Sequence, residues 1–486
     1  MNKTNHNNNL KKGVSWTLLN RTTVYSMQFI STIVLARFLS PPDFAVVGIA
    51  MFFILISYAL FDSGMGGSLL RKQKVEDIDY STLFIYNMGV GIIMYLLLLI
   101  LSKPIALFYD REELALIINV IGLSILVSAF GKIQYIILLR ELKFKQIAII
   151  AIISGFISFL VAIIMAINGY GVWALVMQNL INYTLTVLLQ FIYNRYFPKL
   201  RFSVSSFKEQ WDFGSYLLYS HLLDTAYQNV FSLIFPKISS FNFSGLYTQA
   251  NKIQHLPLNI LNSVTQVGVF PVLAKIDNEK LFVETNKAFT RKTYIGSFAI
   301  LLALSVFSKQ IIAILLGNKW VDATPILSIL SIGGIGVVVS MMVRNSFKSM
   351  GTTNAIFKIE ILKSIIGIVM LAITFAFGDY YILLGIVIAS FLSGFVSVVY
   401  LSRVSKLFTV KEQLIDFITS LLPVIPSAII SYLFVYFTSW GDIITLLCGV
   451  PIFILSLLLF GNIFKNSDII QTQKIILRKL RKISLR

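Results

Sequence analysis

Charged residues are scarce in this 486-residue chain. They make up 13% of it, whereas 57% of its residues are hydrophobic. Soluble globular proteins carry about 25% charged and 45–50% apolar residues. This composition argues against a water-soluble enzyme, a disordered chain and a nucleic-acid-binding domain, and it indicates a polytopic membrane protein.

Cysteine is nearly absent as well. The single cysteine, Cys448, lies in an apolar run, so the sequence offers no disulfide framework and no cysteine metal site. It also contains no glycine-lysine loop for ATP hydrolysis, no HExxH sequence and no Cys/His cluster. We therefore expect a protein that is not an enzyme and has no metal or cofactor, and coupling to a gradient of H+ or Na+ is left open.

Long apolar runs fill most of the chain. A membrane-spanning helix needs about 20 mainly apolar residues, and because backbone groups in lipid must pair within their segment, runs this long indicate helices rather than barrel strands. The connections are short and leave no room for a soluble domain. The predicted spans, fourteen in all, are residues 14–36, 44–70, 82–102, 113–137, 147–167, 172–194, 213–235, 244–271, 289–308, 323–343, 359–377, 382–402, 417–437 and 443–463.

The basic residues indicate an orientation. Lys and Arg concentrate in cytoplasmic loops, and with a cytoplasmic N-terminus 29 of the 41 bases fall on the cytoplasmic side, six on the opposite side and six inside spans. Both termini are therefore predicted to be cytoplasmic, without a cleaved signal peptide. This topology accounts for most of the net charge of +19, and the basic C-terminal end suits anionic lipid rather than nucleic acid.

The longest polar interruption, residues 195–212, separates six predicted spans from eight. Within it Val204, Phe207 and Trp211 share one helix face, which predicts an amphipathic segment on the inner membrane surface; an ordinary loop is the alternative. The sequence predicts an N-terminal bundle at residues 1–194 and a cytoplasmic linker at residues 195–212. They are followed by a C-terminal bundle at 213–402, two additional spans at 403–463 and a basic cytoplasmic tail at 464–486.

Polar side chains recur inside the first and eighth predicted spans. The first has a polar stripe that includes Arg21 and Gln28, and the eighth carries amides and bases around much of its circumference. Because a lipid-facing helix could not carry so many polar groups, we expect the eighth span to line a water-filled space. The predicted polar lining comprises Gln28, Gln249, His255 and Asn259.

Three bases inside spans are candidate partners of an anionic substrate. A charge at the bilayer centre costs about 2.5–3.5 kcal/mol, and a fixed cation in a low-dielectric cavity attracts an anion strongly. Arg21 and Lys363 lie near the cytoplasmic end, where snorkelling to the interface is the alternative. Lys252 lies farther from the cytoplasmic end and is surrounded by amides, which favours a position in a water-filled cavity.

Three acids inside spans are candidates for ion coupling: Asp62, Asp224 and Glu360. Asp62 precedes a Ser-Gly pair, so capping or packing of a helix end is the alternative for it. For His221 and His255 a hydrogen-bonded structural role competes with proton transfer.

Short sequences in the first three-quarters of the chain form an ordered series. They are Gly13 with Trp16, Leu35–Pro41, Asp62–Met65, Leu70–Lys72, Leu139–Phe144, Gly245–Tyr247 with Ala250, Phe270 with Pro271, and Leu315–Trp320 with Ala323 and Pro325. This series resembles the Wzx-type flippases, the polysaccharide exporters of the multidrug/oligosaccharidyl-lipid/polysaccharide superfamily, and in particular their WzxC-like branch. One departure is Tyr227–Val230, where many relatives have an Asp; Asp224, or no acid, would replace it here.

The resemblance implies two pseudo-symmetric six-helix bundles in a V around a central cavity, plus two C-terminal helices. It implies a flippase of the bacterial inner membrane that moves undecaprenyl-diphosphate-linked oligosaccharide units to the outer leaflet by alternating access, for O-antigen, capsule or exopolysaccharide. Its partners would be membrane lipids, a polysaccharide polymerase and other assembly proteins, and no nucleic acid. One alternative is an ion-coupled exporter of the multidrug branch. Another is a membrane polymerase or ligase, but the outer loops are too short for its active site.

Overall fold

The protein is mainly helical in its structure, a computed structural model. Within the described part no strand occurs, and the chain divides into two compact units, Met1–Thr248 and Gln249–Arg486. The all-helical membrane fold predicted from the long apolar runs is confirmed. The described residues are 23–61, 65–265, 269–273, 276 and 278–474.

The first unit is built from long helices joined by short turns, and the boundary between the units falls within its last helix. The helices are α1 (residues 23–38), α2 (Pro41–Phe61), α3 (Met65–Arg71), α4 (Asp77–Phe108), α5 (Glu113–Arg140), α6 (Phe144–Ile167), α7 (Val172–Asn194), α8 (Val204–Asn229), α9 (Phe231–Ile238) and α10 (Phe241–Val264).

Local sequence sets where two of these helices begin. In α2, Pro41 occupies the first helical position, where its missing N–H costs nothing, and the Ser40 amide and hydroxyl donate to Asp43 Oδ2 at 2.8 and 2.7 Å. The helix α8 begins after Ser203, whose hydroxyl accepts a hydrogen bond from the amide of Ser206. Both contacts satisfy amides that a helix start leaves unpaired.

The core of the first unit forms around α5. This helix packs against α4 and α7, and α7 packs against α6. The buried apolar cluster between α3, α4 and α5 consists of Met65, Leu69, Leu83, Phe84, Ile133, Ile136 and Ile137.

The predicted amphipathic linker, residues 195–212, contains the start of α8. Phe207 and Trp211 pack half-buried against the α3–α5 core, with their ring centroids 5.8 Å apart, whereas Val204 is 72% exposed. Two of the three residues on the predicted apolar face therefore contact protein. The position of this segment on the inner membrane surface, like the predicted domain boundaries, stays a prediction.

The second unit continues the pattern of long antiparallel helices. Its helices after α10 are α11 (Phe270–Leu273), α12 (Glu279–Val306), α13 (Ser308–Leu315), α14 (Thr324–Ser349), α15 (Thr353–Thr374), α16 (Asp379–Val404), α17 (Val410–Leu421), α18 (Val424–Phe437), α19 (Asp442–Ile463) and α20 (residues 467–474).

Small residues bring α14 and α16 into close contact. A Cβ added at Gly336 would lie 2.5 Å from the carbonyl carbon and oxygen of Ser390, and one added at Gly394 would lie 3.1 Å from the carbonyl oxygen of Gly336. The Ser390 hydroxyl donates to the carbonyl oxygen of Gly333 at 2.7 Å. Close backbone approach of this kind is how membrane helices gain packing energy where lipid supplies no hydrophobic drive.

The C-terminal helix α20 docks on the second unit. Ile469 is 5% exposed and lies against Gly461 of α19, while Asp468 Oδ2 accepts a hydrogen bond from Arg291 Nε at 2.9 Å. The last twelve residues of the predicted basic tail, 475–486, lie outside the described residues.

Helices coincide with all fourteen predicted spans wherever the structure describes them. In that part of the chain ten segments are long and apolar enough to cross a membrane, and α12 with α13, bent by 74°, makes an eleventh if the pair is one span. The other three predicted spans coincide with α1, with α8 and α9, and with α10 and α11. The helices α8 and α10 are too polar to meet the same criterion, which agrees with the polar residues noted in their sequences.

Exposed apolar side chains mark the faces that suit lipid. On α4, Ile93 and Ile100 are 63% and 75% exposed, and α6, α15, α18 and α19 have similar faces. Exposure of this extent would be unfavourable in water, so the chain is a multi-pass membrane protein.

We expect Gly336→Ala to destabilise the second unit. The added methyl group would clash with the backbone of Ser390, and overpacking of this kind costs roughly 1–3 kcal/mol. The matched control is Gly296→Ala in α12, where a Cβ would meet nothing within 4 Å and helix propensity improves by up to about 1 kcal/mol. Thermal unfolding of both variants in detergent measures the difference, and equal melting temperatures would refute the close contact.

Candidate functional site

The helix α10 carries a polar stripe. Gln249, Lys252, His255 and Asn259 follow one another at spacings of three, three and four residues, which puts them on one side of the helix. His255 and Asn259 are half-buried, Gln249 is buried and Lys252 is exposed. Four of the predicted site residues therefore share one face, part of which water can reach.

Lys252 is accessible even though three nearby residues on α10 are buried. Ala250, Ile253 and Gln254 are 0%, 3% and 3% exposed, whereas the Lys252 side chain is exposed. The Gln254 amide lies against Gly334 of α14, so this side of α10 is in tight contact with its own unit. Lys252 is thus an accessible residue on a helix whose adjacent turns are fixed by packing.

Gln249 is buried without a hydrogen-bond partner among the described residues. It is 0% exposed, and neither its amide nitrogen nor its amide oxygen has such a partner there. A buried polar group without a partner costs about 1–3 kcal/mol, and most buried polar groups in proteins avoid this cost. The cost makes Gln249 a candidate for binding a polar group.

The first unit has polar contacts between α2, α5 and α7 and between α1 and α7. The Tyr58 hydroxyl donates to Ser124 Oγ at 2.9 Å and accepts from Ser128 at 3.3 Å, and its ring centroid lies 5.0 Å from that of Tyr183. Gln178 on α7 donates to Ser31 on α1, one turn from the exposed Gln28. Sequence reasoning identified Gln28 but missed the others, because serine and tyrosine in an apolar run carry no charge signal.

The predicted charged site residues of the first unit are Arg21, Asp62 and Asp224. Arg21 and Asp62 lie outside the described residues. Asp224 is half-buried on α8 and accepts a hydrogen bond from Gln228 Nε2 at 2.8 Å. Among the described residues no group of three or more His, Cys, Asp or Glu side chains could hold a metal ion.

Glu360 and Lys363 are brought together with a third charge, Arg344. Lys363 Nζ lies 2.8 Å from Glu360 Oε2, and Arg344 Nη1 lies 3.6 Å from Glu360 Oε1. The Glu360 and Lys363 side chains are 6% and 14% exposed and that of Arg344 is 26% exposed. The predicted anion-binding Lys363 is thus already in contact with an acid of its own unit.

Arg344 is the functional candidate that sequence reasoning missed. It follows immediately after the predicted span 323–343, where the sequence predicts a cytoplasmic loop, whereas α14 continues to Ser349. The pairing of Glu360 with Lys363 had a readable signal, because residues three apart on a helix are neighbours. Arg344 had none, because it lies on another helix.

Another ionic cluster joins helix ends of the first unit. Lys72 contacts Asp79 at 3.1 Å and Glu209 at 2.9 Å, and the Ser206 hydroxyl donates to Asp79 at 2.6 Å. The hydrogen bond that Lys72 donates to Glu209 raises the pKa of Lys72 above its ordinary value. This cluster ties the start of α8 to the α3–α4 turn.

A corresponding cluster in the second unit joins α12 to α17 and α20. Arg291 lies 3.6 Å from Asp416 and 2.9 Å from Asp468, and Lys287 lies 2.8 Å from Glu412. Each pair connects two elements, so packing explains these charges without a ligand.

The fold is that of a helical multi-pass membrane protein, and solved structures share it. The chain is similar to a lipid II flippase MurJ in an inward closed conformation, with a TM-score of 0.73 and 18% identity, over 93% of this chain and 99% of that one. It is also similar to an inward-facing multidrug resistance MATE family transporter of the MOP superfamily, with a TM-score of 0.64 and 15% identity, over 81% and 98%. At these identities the similarity shows the fold.

Sequence comparison supplies the family. A family described as "Polysaccharide biosynthesis protein" matches residues 34–325, more than half of the chain. The chain belongs to this family of polysaccharide biosynthesis proteins.

Two curated relatives agree with that assignment. The teichuronic acid biosynthesis protein TuaB of Bacillus subtilis is 26% identical over 67% of this chain and 68% of its own length. The lipopolysaccharide biosynthesis protein WzxC of Escherichia coli is 24% identical over 72% of each. The predicted resemblance to WzxC-like proteins is confirmed.

We expect Glu360→Gln to destabilise the protein. It would leave Arg344 and Lys363 close together without their carboxylate, and removing one partner of a buried pair costs about 3–5 kcal/mol. The accessibility of Arg344 places our expectation at the low end. Melting temperatures in detergent measure the loss, and the double variant Glu360→Gln/Lys363→Met should recover part of it. No recovery would show that Glu360 and Lys363 are not energetically coupled.

Proposed function

We propose that the protein is a flippase that moves undecaprenyl-diphosphate-linked oligosaccharide units from the inner to the outer leaflet of the bacterial inner membrane by alternating access. The observation that carries the proposal is the agreement of 93% of the chain with the fold of a lipid II flippase. Membership of a polysaccharide biosynthesis family supports the same substrate class.

The polar stripe on α10 suits such a substrate. A diphosphate and a glycan need a hydrated path with cations and hydrogen-bonding groups, while an isoprenoid tail can stay in the bilayer. Lys252 offers the accessible cation, and His255 and Asn259 on the same face offer groups for hydroxyls. Arg21 and Lys363 are further proposed cations for the diphosphate or for acidic sugars.

The energy source and topology belong to the same proposal. Asp62, Asp224 and Glu360 are the proposed acids for coupling to H+ or Na+, and no other cofactor is needed. Both termini are proposed to be cytoplasmic, and a polysaccharide polymerase and other assembly proteins are proposed partners. The protein moves its substrate without changing it chemically.

A multidrug exporter is the rival function, because the chain also resembles MATE family transporters. Cationic drugs would favour acids on the accessible surface. On the α10 stripe the charged residue is instead Lys252, which favours an anionic substrate.

Deleting the gene for this chain in its host should abolish the surface polysaccharide. Lipid-linked oligosaccharide should then accumulate in the inner leaflet, because its synthesis continues while its translocation stops. Polysaccharide immunoblots and mass spectrometry of extracted lipids measure both effects. Normal polysaccharide together with increased drug sensitivity and dye accumulation would favour the exporter.

Lys252→Ala should reduce surface polysaccharide about 10- to 100-fold at an unchanged protein level. This range corresponds to loss of a charge-assisted hydrogen bond worth about 1.5–3 kcal/mol. Lys252→Arg should retain most of the activity because it keeps the charge. The matched control is Lys280→Ala, which removes an exposed lysine of the same unit; equal output from both alanine variants would remove Lys252 from the mechanism.

A further inference from the structure

Glu360 contacts two cationic side chains, although one of them would be enough to neutralise its charge. Its carboxylate lies 2.8 Å from Lys363 Nζ and 3.6 Å from Arg344 Nη1, and its side chain is 6% exposed. Two bases and one acid leave the cluster with a surplus positive charge. An ammonium and a guanidinium that converge on the oxygens of one anion also form the arrangement that binds phosphate.

The cluster lies near one end of the helices that carry it. Arg344 is five residues from the end of α14 at Ser349, and Glu360 is seven residues from the start of α15 at Thr353. With a rise of about 1.5 Å per residue, both lie roughly 8–10 Å from the α14–α15 turn. That depth is close to the lipid head groups, and the sequence predicts this turn to be cytoplasmic.

The most accessible of the three charged side chains is Arg344. It is 26% exposed, whereas Lys363 and Glu360 are 14% and 6% exposed. The exposed apolar residues Leu362, Ile365 and Val369 follow Glu360 by two, five and nine residues, so they lie on the side of α15 away from Glu360. A phosphate would therefore reach the cluster beside Arg344.

We propose that Arg344 and Lys363 form a binding site for the phosphate of an inner-leaflet lipid, and that Glu360 occupies this site as an internal anion until that phosphate displaces it. The proposal rests on the proposed function in one respect, the diphosphate of the lipid-linked substrate as the expected occupant. A diphosphate carries more negative charge and more acceptor oxygens than one carboxylate, so it competes favourably for two cations. Contact with the cluster is the step at which substrate is accepted.

A purely structural ion pair and this site predict opposite results for one substitution. If Glu360 only stabilises the fold, Glu360→Gln weakens the protein and leaves anion binding unchanged. If Glu360 competes with phosphate, the same substitution increases phosphate affinity, even though the unliganded protein is less stable. The sign of the change in affinity therefore decides.

The first test uses the purified full chain in detergent with sodium pyrophosphate as the probe. A ligand that binds the folded state raises the melting temperature as its concentration exceeds its dissociation constant. We expect Glu360→Gln to lower the half-saturating pyrophosphate concentration about tenfold relative to the unmodified protein, and Glu360→Gln/Arg344→Gln to lose the gain. The matched control is Glu284→Gln, an exposed acid on α12, which should behave like the unmodified protein.

Unchanged pyrophosphate affinity in Glu360→Gln would overturn the proposal. If that variant does not fold, Glu360→Asp serves instead, because it retracts the carboxylate by one methylene and weakens its hold on both cations. We expect Glu360→Asp to shift affinity in the same direction by a smaller factor, and no shift would overturn the proposal as well.

The second test identifies the source of the phosphate. The protein is reconstituted in phosphatidylcholine vesicles that contain either undecaprenyl diphosphate or phosphatidylglycerol. The proposal is supported if undecaprenyl diphosphate, and not phosphatidylglycerol, raises the melting temperature of Glu360→Gln more than that of the unmodified protein. An equal rise with phosphatidylglycerol overturns the assignment to a substrate diphosphate. The two proposals can also fail separately. If Glu360→Gln binds pyrophosphate ten times more tightly but deletion of the gene leaves the surface polysaccharide intact, the anion site is retained and the flippase function is rejected.

Discussion

Hydrocarbon offers no hydrogen bonds, and this constraint governs the whole structure. Backbone groups are satisfied within helices, and many serine and threonine hydroxyls in the spans bond back to a carbonyl oxygen of the preceding turn, as Ser154 does to Ile150 at 2.6 Å and Thr374 to Met370 at 2.7 Å. Helices then approach one another through small residues such as Gly336, because lipid supplies no hydrophobic drive between them. Polar side chains that these contacts leave unpaired need water, an ion pair or a ligand.

The polar side chains of the spans consequently differ in what offsets the free-energy cost of placing them in the membrane. Tyr58 is satisfied by serines of its own unit, and Glu360 by two bases. Lys252 is accessible, while Gln249 is buried without a hydrogen-bond partner among the described residues. The last two lie on the same face of α10, which is why this helix is the best candidate for contact with a polar substrate. The Glu360 cluster differs, because Glu360 is paired with two bases of its own unit. Only a stronger anion would compete with Glu360 for these bases.

Much of the fold could be predicted because the signal for a membrane span is local. Twenty apolar residues in a row are recognisable wherever their neighbours lie, so the predicted spans coincide with helices. The 74° bend between α12 and α13 was not predictable, because hydropathy records apolarity and not direction. Lys252 stood out as a charge among apolar and amide residues, whereas Arg344 looked like an ordinary loop base until α14 was seen to continue past it.

By itself the sequence determined that the protein is a helical, multi-pass membrane protein, and its ordered short sequences pointed to the polysaccharide biosynthesis family. Both follow from residues close together in the chain. Only the tertiary structure decided which charges neutralise one another, as in the contact of Arg291 with Asp468 across 177 residues or of Arg344 with Glu360 on the next helix. The physical reason is that hydropathy adds up along a chain, whereas an ion pair depends on a distance of a few ångströms that only helix packing sets.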